Sequence, residues 1–574
     1  MRLLVIFALL VLIITGTIFA ACIPTERFLY VPAVANENRS EMVKIGVETK
    51  AGTGEVFVSV TPAVGFYTQE SERTASDIAF AVAKKKECDV FLRVLSQDGV
   101  NQVDGPSAGA AITIMLISAL RSEQLRNDFS ITGTIEEDGT VGDVGGIPLK
   151  AEAVAKLGKK LFIVPTLSKG DLFGVLLVKK YYNLTVIEAE DIEAAYNLAL
   201  SNKMPDERLV LKPEPETAFN QANLSHPYTE SFANVSKSLI EEAKSLTKNA
   251  ELGYLANFES RLQSAISAYD KSQYYTAANI AFLLVIDNEL AEYSPDKMRK
   301  EIENVNSCLS SFKQKDLTIE NFELIGPAQI RYLWAKKKLP PVPQQHDFVA
   351  AEFSIYESAL MAKSWCDAAT QMNEYPQSGQ ETAFNAELIS PYAKDLLGYA
   401  TKALKDSEDE DLKWHLEVAK DAYDTGLYVA STIDSNYVLS SIETGKVEVN
   451  ETDGLIRQYS NASYKYLWPQ LFQNHAKNFD NDKKTAVRML LFASKINDSF
   501  EAIERIARLS TGANLTVTSE NLSQINAINS TQAGEAQNQS GSEEELSVIF
   551  IAAFLVIIAL AIREKLKNRR KKKH

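Results

Sequence analysis

The sequence predicts an α+β domain followed by a mainly α-helical domain and a C-terminal transmembrane helix. Three observations predict it. Residues 41–204 mix strand-type alternation with short amphipathic helices. Residues 213–510 are rich in Ala, Glu, Lys, Ser and Tyr, with helical periodicity and few β-branched runs. Leu546–Ile562 is an uncharged run followed by a polybasic tail. A chain of 574 residues has room for two to four such domains.

The chain opens with Met1-Arg2 and an uncharged apolar run from Leu3 to Ala21. This reads as a signal peptide over residues 1–22, or as an N-terminal membrane anchor if it stays uncleaved. Phe19-Ala20-Ala21-Cys22 resembles a lipoprotein cleavage box, which makes Cys22 a lipidation candidate. All three readings put residue 23 onward outside the cytoplasm.

Within the α+β stretch, Val43, Ile45 and Val47 alternate, as do Val56, Val58 and Val60; Ala51-Gly52-Thr53-Gly54 between them predicts a hairpin over 42–62. A helix follows over Ser71–Lys86, then a strand over Asp89–Leu95 and a helix over Ser107–Arg121 that buries Ile112, Met115, Leu116 and Leu120. Asp138-Gly139 centres a second hairpin, Ile131–Glu136 with Thr140–Val144. A helix over Pro148–Leu157, strands at Leu161–Val164 and Val186–Ile187, and a closing helix at Ile192–Leu200 complete the domain.

One stretch here carries chemistry. Asp104-Gly105-Pro106-Ser107-Ala108-Gly109 places a serine at the mouth of a helix, where unpaired N–H groups and the helix dipole favour an oxyanion. A serine nucleophile needs a base, usually histidine. None of the five histidines falls in the first 225 residues. Lys150, 43 positions after Ser107 and preceded by Gly145-Gly146, is the alternative. In the first turn of its helix it opposes the dipole, which with burial would lower its pKa. Taken alone, it also fits a surface lysine on an amphipathic helix.

The segments Asp104–Ala111, Thr132-Gly133 and Gly145-Gly146 through Lys150 resemble the proteolytic domain of the Lon peptidase family, which uses a Ser-Lys dyad. Ser107 and Lys150 match its nucleophile and general base in order and spacing. Thr132 matches the threonine that helps to hold the lysine, and Asp104 the acidic residue three before the serine. Gly105, Gly145 and Gly146 lie in the same segments. The resemblance covers about a third of the chain, roughly 41–204. It implies a Lon-type, ribosomal-protein-domain-2-like α+β fold, polypeptide substrates and a hexameric ring. Pro148-Leu149 departs from the family, which usually has a charged residue shortly before the lysine, and 97–103 fits its pattern loosely.

In the helical region, candidate helices are Val235–Leu246, Leu252–Asp270, Tyr274–Tyr293, Pro295–Phe312, Ala350–Tyr375, Tyr392–Lys405, Leu412–Tyr428 and Thr485–Leu509, in two halves split near 340 by Pro340-Pro341-Val342-Pro343. Tyrosine stripes along them read as packing faces or as a peptide-binding groove. Cys308 and Cys366 are either a disulfide of an exported protein or two buried thiols.

Residues 511–545 are a flexible tether, Leu546–Ile562 a transmembrane helix and 563–574 a cytoplasmic tail, giving a membrane layout of archaeal type. The tail carries a net +7, so the rest of the chain carries −22 of the formal −15. An acidic body argues against a nucleic-acid partner. The N-x-[ST] sequons avoid residues 41–182, and four fall in the tether. The sequence holds no G-x-x-x-x-G-K-[ST] loop, zinc motif, EF-hand or dinucleotide fingerprint, so no metal or cofactor is expected.

These readings combine into a membrane-anchored, ATP-independent serine endopeptidase, its body extracytoplasmic, acting on unfolded or membrane-proximal proteins. The alternative is a membrane-tethered scaffold with a degenerate or self-processing protease domain.

Overall fold

The alternating stretches become two main sheets in the computed structural model. It describes residues 22–36, 39–59, 63–85, 87–95, 102–103, 105–205, 209–340, 348–375, 381–405, 407–479 and 482–511. Residues 1–21, Asp104, the tether, the transmembrane run and the basic tail lie outside the described residues. Among the described residues no helix is long and apolar enough to cross a membrane. The chain divides into two compact units, 1–211 with 343–355, and 212–342 with 356–574.

In the first unit, β1 (Thr25–Asn36) pairs antiparallel with β2 (Arg39–Ala51). The expected 42–62 hairpin is corrected here. β3 (Val56–Val58) does not pair with β2, because β5 (Cys88–Leu95) runs between them in the order β1-β2-β5-β3. The turn after β2 is held by Asp89 instead: its carboxylate accepts the N–H groups of Thr53, Gly54 and Glu55 at 2.8, 3.0 and 3.0 Å. The true hairpin uses residues before 42, outside the alternation read from sequence. Two short pairs complete the strands: β4 (Ala63–Val64) with β6 (Gln102–Val103), and β8 (Thr134–Ile135) with β9 (Val141–Gly142) around the expected Asp138-Gly139 turn.

The second sheet is parallel, in the order β11 (Thr185–Glu188), β10 (Leu161–Val164), β7 (Phe129–Ile131). β10 is buried at every position and serves two cores. Leu161 and Ile163 join the core of α1 (Phe66–Ala83) and α2 (Gly109–Arg121). Phe162 and Val164 join that of α3 (Ile147–Lys156) and α4 (Lys169–Tyr182). Helices on both faces are what a parallel sheet requires. α2 is buried all round from Gly109 to Leu120, not on one face as expected. α5 (Ile192–Leu200) closes the unit where the sequence placed it.

The second unit is helical throughout: α6 (Thr229–Thr247), α7 (Leu252–Asp270), α8 (Tyr274–Ala291), α9 (Pro295–Ser311), α10 (Phe322–Lys338), α11 (Val349–Asn373), α12 (Ser390–Ala403), α13 (Glu410–Asp424), α14 (Tyr428–Lys446), α15 (Thr452–Ser460), α16 (Leu467–Ala476) and α17 (Lys483–Thr511). The start of α11, up to Ile355, belongs to the first unit. One apolar core runs from Tyr228 to Ile503, with residues from both sides of position 340. The helix expected over Leu412–Tyr428 stops at Asp424; Gly426, at φ +78°, turns the chain into α14.

All four cysteines are paired. Cys308 bonds Cys366 across α9 and α11. Cys22 bonds Cys88, an unforeseen pair that occupies the sulfur lipidation would need. The sequon at Asn497 is closed as well, since that side chain is buried in α17 and bonded to Glu501.

Candidate active site

The serine and the lysine stand on helices from opposite sides of the parallel sheet, and the chain leaving β7 reaches both. Ser107 lies in a 3-10 turn, Pro106–Ala108, that leads into α2. Gly105 precedes it at φ +132°, a conformation open to glycine and costly for other residues. α1 braces this turn: the Thr68 hydroxyl accepts from Gly105 N at 2.9 Å, and Ser71 Oγ donates to Pro106 O at 3.2 Å. Beyond β7, Thr132 and Gly133 are stitched to the turn. Gly133 N donates to Ser107 O at 3.0 Å, and Ala110 N to Gly133 O at 3.2 Å.

Thr132 is the hinge of the arrangement. Its Oγ1 donates to Ser107 O at 3.3 Å and accepts from Lys150 Nζ at 3.4 Å. Ser107 Oγ and Lys150 Nζ share no direct hydrogen bond; Thr132 joins the two positions. Lys150 projects from the first turn of α3, which starts at Gly146 in the left-handed region, φ +70°. A Cβ at Gly146 would also stand 2.7 Å from Val34 Cγ2, whereas Gly145 is unconstrained.

Lys150 is 3% exposed, which excludes the surface-lysine reading. Burial pushes its ammonium down to about 8, against the pull of the Asp171 carboxylate. Sequence reasoning assigned part of this depression to the helix dipole; removal from water is the larger cause found. Asp171 is held above its ordinary range, chiefly by burial. It stands in the first turn of α4, where Ser168 caps its N–H at 3.1 Å. Ser168-x-x-Asp171 is a legible capping pattern, and reading it would have revealed both the helix and the carboxylate.

Two further carboxylates were missed. Glu152, two residues after Lys150, is fully buried. It accepts from Tyr182 Oη at 2.8 Å and from the N–H groups of Val349 and Ala350 at 3.0 and 2.9 Å. Glu72 of α1 lines the cleft that holds Ser107, a space of roughly 600 Å3 including its mouth. Val31, Val43, Ile45 and Leu92 supply apolar wall, and Arg93 is the other charged residue lining it. Burial raises the Glu72 carboxyl to about 7, and one of its oxygens has no partner among the described residues. Of the expected site residues, Ser107, Thr132, Lys150, Gly105 and Gly146 converge; Asp104 lies outside the described residues. No group of side chains able to hold a metal occurs among the described residues.

A cleft with apolar walls, a serine at a helix entrance and a buried lysine nearby is an arrangement that a peptidase domain could use. Residues 39–202 match the family model of the Lon protease (S16) C-terminal proteolytic domain, and this part of the chain is a Lon-type proteolytic domain. The Lon protease of Escherichia coli (strain K12) is 30% identical over 197 residues, 31% of this chain and 25% of that protein. The Lon protease of Desulforamulus reducens is 31% identical over 177 residues, 30% of this chain and 22% of its own length. The Lon protease of Mycoplasma mycoides is 30% identical over 138 residues, or 23% and 17%. The chain thus spans a quarter or less of the length of these relatives.

Proposed function

We propose that the chain is a membrane-anchored serine endopeptidase that works without ATP, with Ser107 as nucleophile and Lys150 as general base. The observation that carries this reading is a lysine 3% exposed, with its pKa lowered to about 8, hydrogen-bonded to the same threonine that holds the Ser107 backbone. At neutral pH roughly a tenth of such lysines are neutral and able to take a proton.

Ser107 Oγ attacks the scissile carbonyl while its proton passes to Lys150 Nζ. Backbone N–H groups around the turn take the oxyanion. Lys150 gives the proton to the leaving amine as the C–N bond breaks, leaving an acyl-serine. A water then loses a proton to Lys150 and attacks the ester, and Ser107 is regenerated. Thr132 keeps Nζ on the serine side of the sheet. Substrate residues would lie along the apolar wall of the cleft.

ATP independence is supported by the absence of a phosphate-binding loop from the sequence given. Membrane anchoring is supported by Leu546–Ile562 and its basic flank, and an extracytoplasmic body by the two disulfides. The hexameric ring belongs to this proposal through the family resemblance. One observation favours the scaffold reading, the missing direct bond between Ser107 and Lys150. Catalytic hydrogen bonds are commonly long before substrate binds, so it weighs little.

The test is hydrolysis of an unfolded casein by the full chain in detergent, without nucleotide. Activity is expected, with a loss of about a thousandfold or more in Ser107→Ala and in Lys150→Ala. Equal hydrolysis by Ser107→Ala, or hydrolysis that starts only when ATP is added, contradicts the proposal.

A further inference from the structure

The helical unit holds a cavity that the peptidase reading does not use. α10, α14, α16 and α17, with Tyr275 of α8, enclose roughly 630 Å3 including the opening. The aromatic wall, with few charged groups, suits an organic ligand. Tyr275, Trp334, Tyr437, Trp468, Phe472 and Phe492 supply the aromatic surface. Only two lining residues are charged, Arg331 and Asp434.

Asp434 lies within electrostatic reach of Arg331 but forms no ion pair with it, its oxygens facing other groups. Asp434 is fully buried; its Oδ2 accepts from Trp334 Nε1 at 2.9 Å, and its Oδ1 faces His415 Nδ1 at 3.3 Å. Against the effect of burial, Asp434 raises His415 above its ordinary pKa, so this carboxylate acts on that imidazole at close range. Arg331 Nη1 donates to Pro327 O at 3.0 Å, and its guanidinium lies 4.5 Å from the Trp468 ring centre and 5.7 Å from that of Trp334. No ion pair forms at Arg331 among the described residues, and burial pulls its pKa below the usual value.

A guanidinium stacked on indoles and short of an anion is an expensive thing to bury, and its fork of N–H groups suits a carboxylate. Two further buried donors lack acceptors: Trp468 Nε1, in the cavity wall, and the Tyr375 hydroxyl, within electrostatic reach of Arg331. The cavity therefore offers donors and positive charge at one place and flat apolar surface around it.

We propose that this cavity binds an organic carboxylate with an aromatic or branched apolar body, the carboxylate paired with Arg331 and the body stacked on the surrounding rings. Two sources supply that chemistry, a free acylated amino acid and the C-terminal residue of a peptide. The inference does not depend on the peptidase reading.

The test uses the full chain carrying Ser107→Ala, so that no peptide is cut, and follows indole fluorescence. The probes are N-acetyl-phenylalanine, its C-terminal amide, a hexapeptide ending in phenylalanine and the amide of that hexapeptide. At least one acid is expected to bind about tenfold or more tightly than its amide. Adding Arg331→Gln is expected to remove that difference, and adding Arg331→Lys to restore part of it. Tight binding of the hexapeptide acid identifies a peptide C-terminus as the ligand, and binding of the small acid alone a free metabolite. The proposal is overturned by equal affinity for acids and amides, by an acid preference that survives Arg331→Gln, or by no saturable response to either acid up to ~10 mM. The comparison of acid with amide needs no Arg331 variant, so a misfolded variant does not blunt it.

Discussion

Lys150 bears the main physical cost of the proposed chemistry. Folding takes its amine out of water and lowers its pKa from 10.5 to about 8. Between those values the unfolded chain holds the proton and the folded chain does not, so the stability contribution rises with pH from about 8 to 10.5. Below 8 the penalty is fully present, about 3 kcal/mol at 1.36 kcal/mol per pKa unit. Lys150→Met keeps the shape and removes the charge. It is expected to stabilise the first unit by about 1–3 kcal/mol at pH 7, with the gain shrinking to near zero by about pH 10.5. Thermal unfolding of both proteins across that range checks it, and a less stable Lys150→Met at pH 7 would show that the site tolerates the charge. At this scale the sequence was most informative. The missing histidine, the spacing and the flanking glycines pointed to Ser107 and Lys150, and the Lon resemblance pointed to Thr132, without any contact being known. Glu72 and Asp171 were not legible as site residues, because their place depends on which helices pack against the serine turn and the lysine helix.

At the scale of elements, α3 matters because it carries both Lys150 and the buried Glu152. The Glu152 carboxylate ties α3 to α4 through Tyr182 and to the start of α11 through two N–H groups that no helical carbonyl can satisfy. Lys156, one turn on, completes the group at 3.1 Å. Glu152→Ala strands a part-buried hydroxyl, a part-buried N–H and a buried N–H, and is expected to destabilise the first unit by about 3 kcal/mol. Amide exchange at Val349 and Ala350 should speed up in parallel. A loss under about 1 kcal/mol with unchanged exchange would mean that these bonds hold little.

Two of the helices missed from sequence share a cause. α14 and α16 are buried on nearly every side, so they lack the apolar stripe that periodicity detects. α10 carries Pro327 within it, and at Gly326 a Cβ would stand 2.3 Å from Val429 of α14. Amphipathic helices such as α7, α9 and α17 were placed to within two residues. The failed 42–62 hairpin has a tertiary cause too, since local alternation cannot show that a later strand slips between two neighbours.

Across the whole molecule, the match to known peptidases covers 39–202, and the relatives share no more than a quarter of their length with this chain. Outside that stretch the chain carries the helical unit and, in its sequence, the apolar segments at either end that suggested export and anchoring. Cys22–Cys88 ties the residue just past the apolar leader to the sheet that walls the serine cleft, and Cys308–Cys366 cross-links the helical unit. The two disulfides are of the kind that persists in an oxidising space, which is what the proposed setting requires.

The central claim is that a buried lysine activates Ser107 in that setting. It is tested most directly by the rate at which a phosphonofluoridate labels Ser107 in the full chain, without nucleotide, from pH 6 to about pH 10. The account predicts a rate that climbs about tenfold per pH unit, levels off above about 8 and vanishes in Lys150→Gln. A flat profile, or labelling that persists in Lys150→Gln, would contradict it.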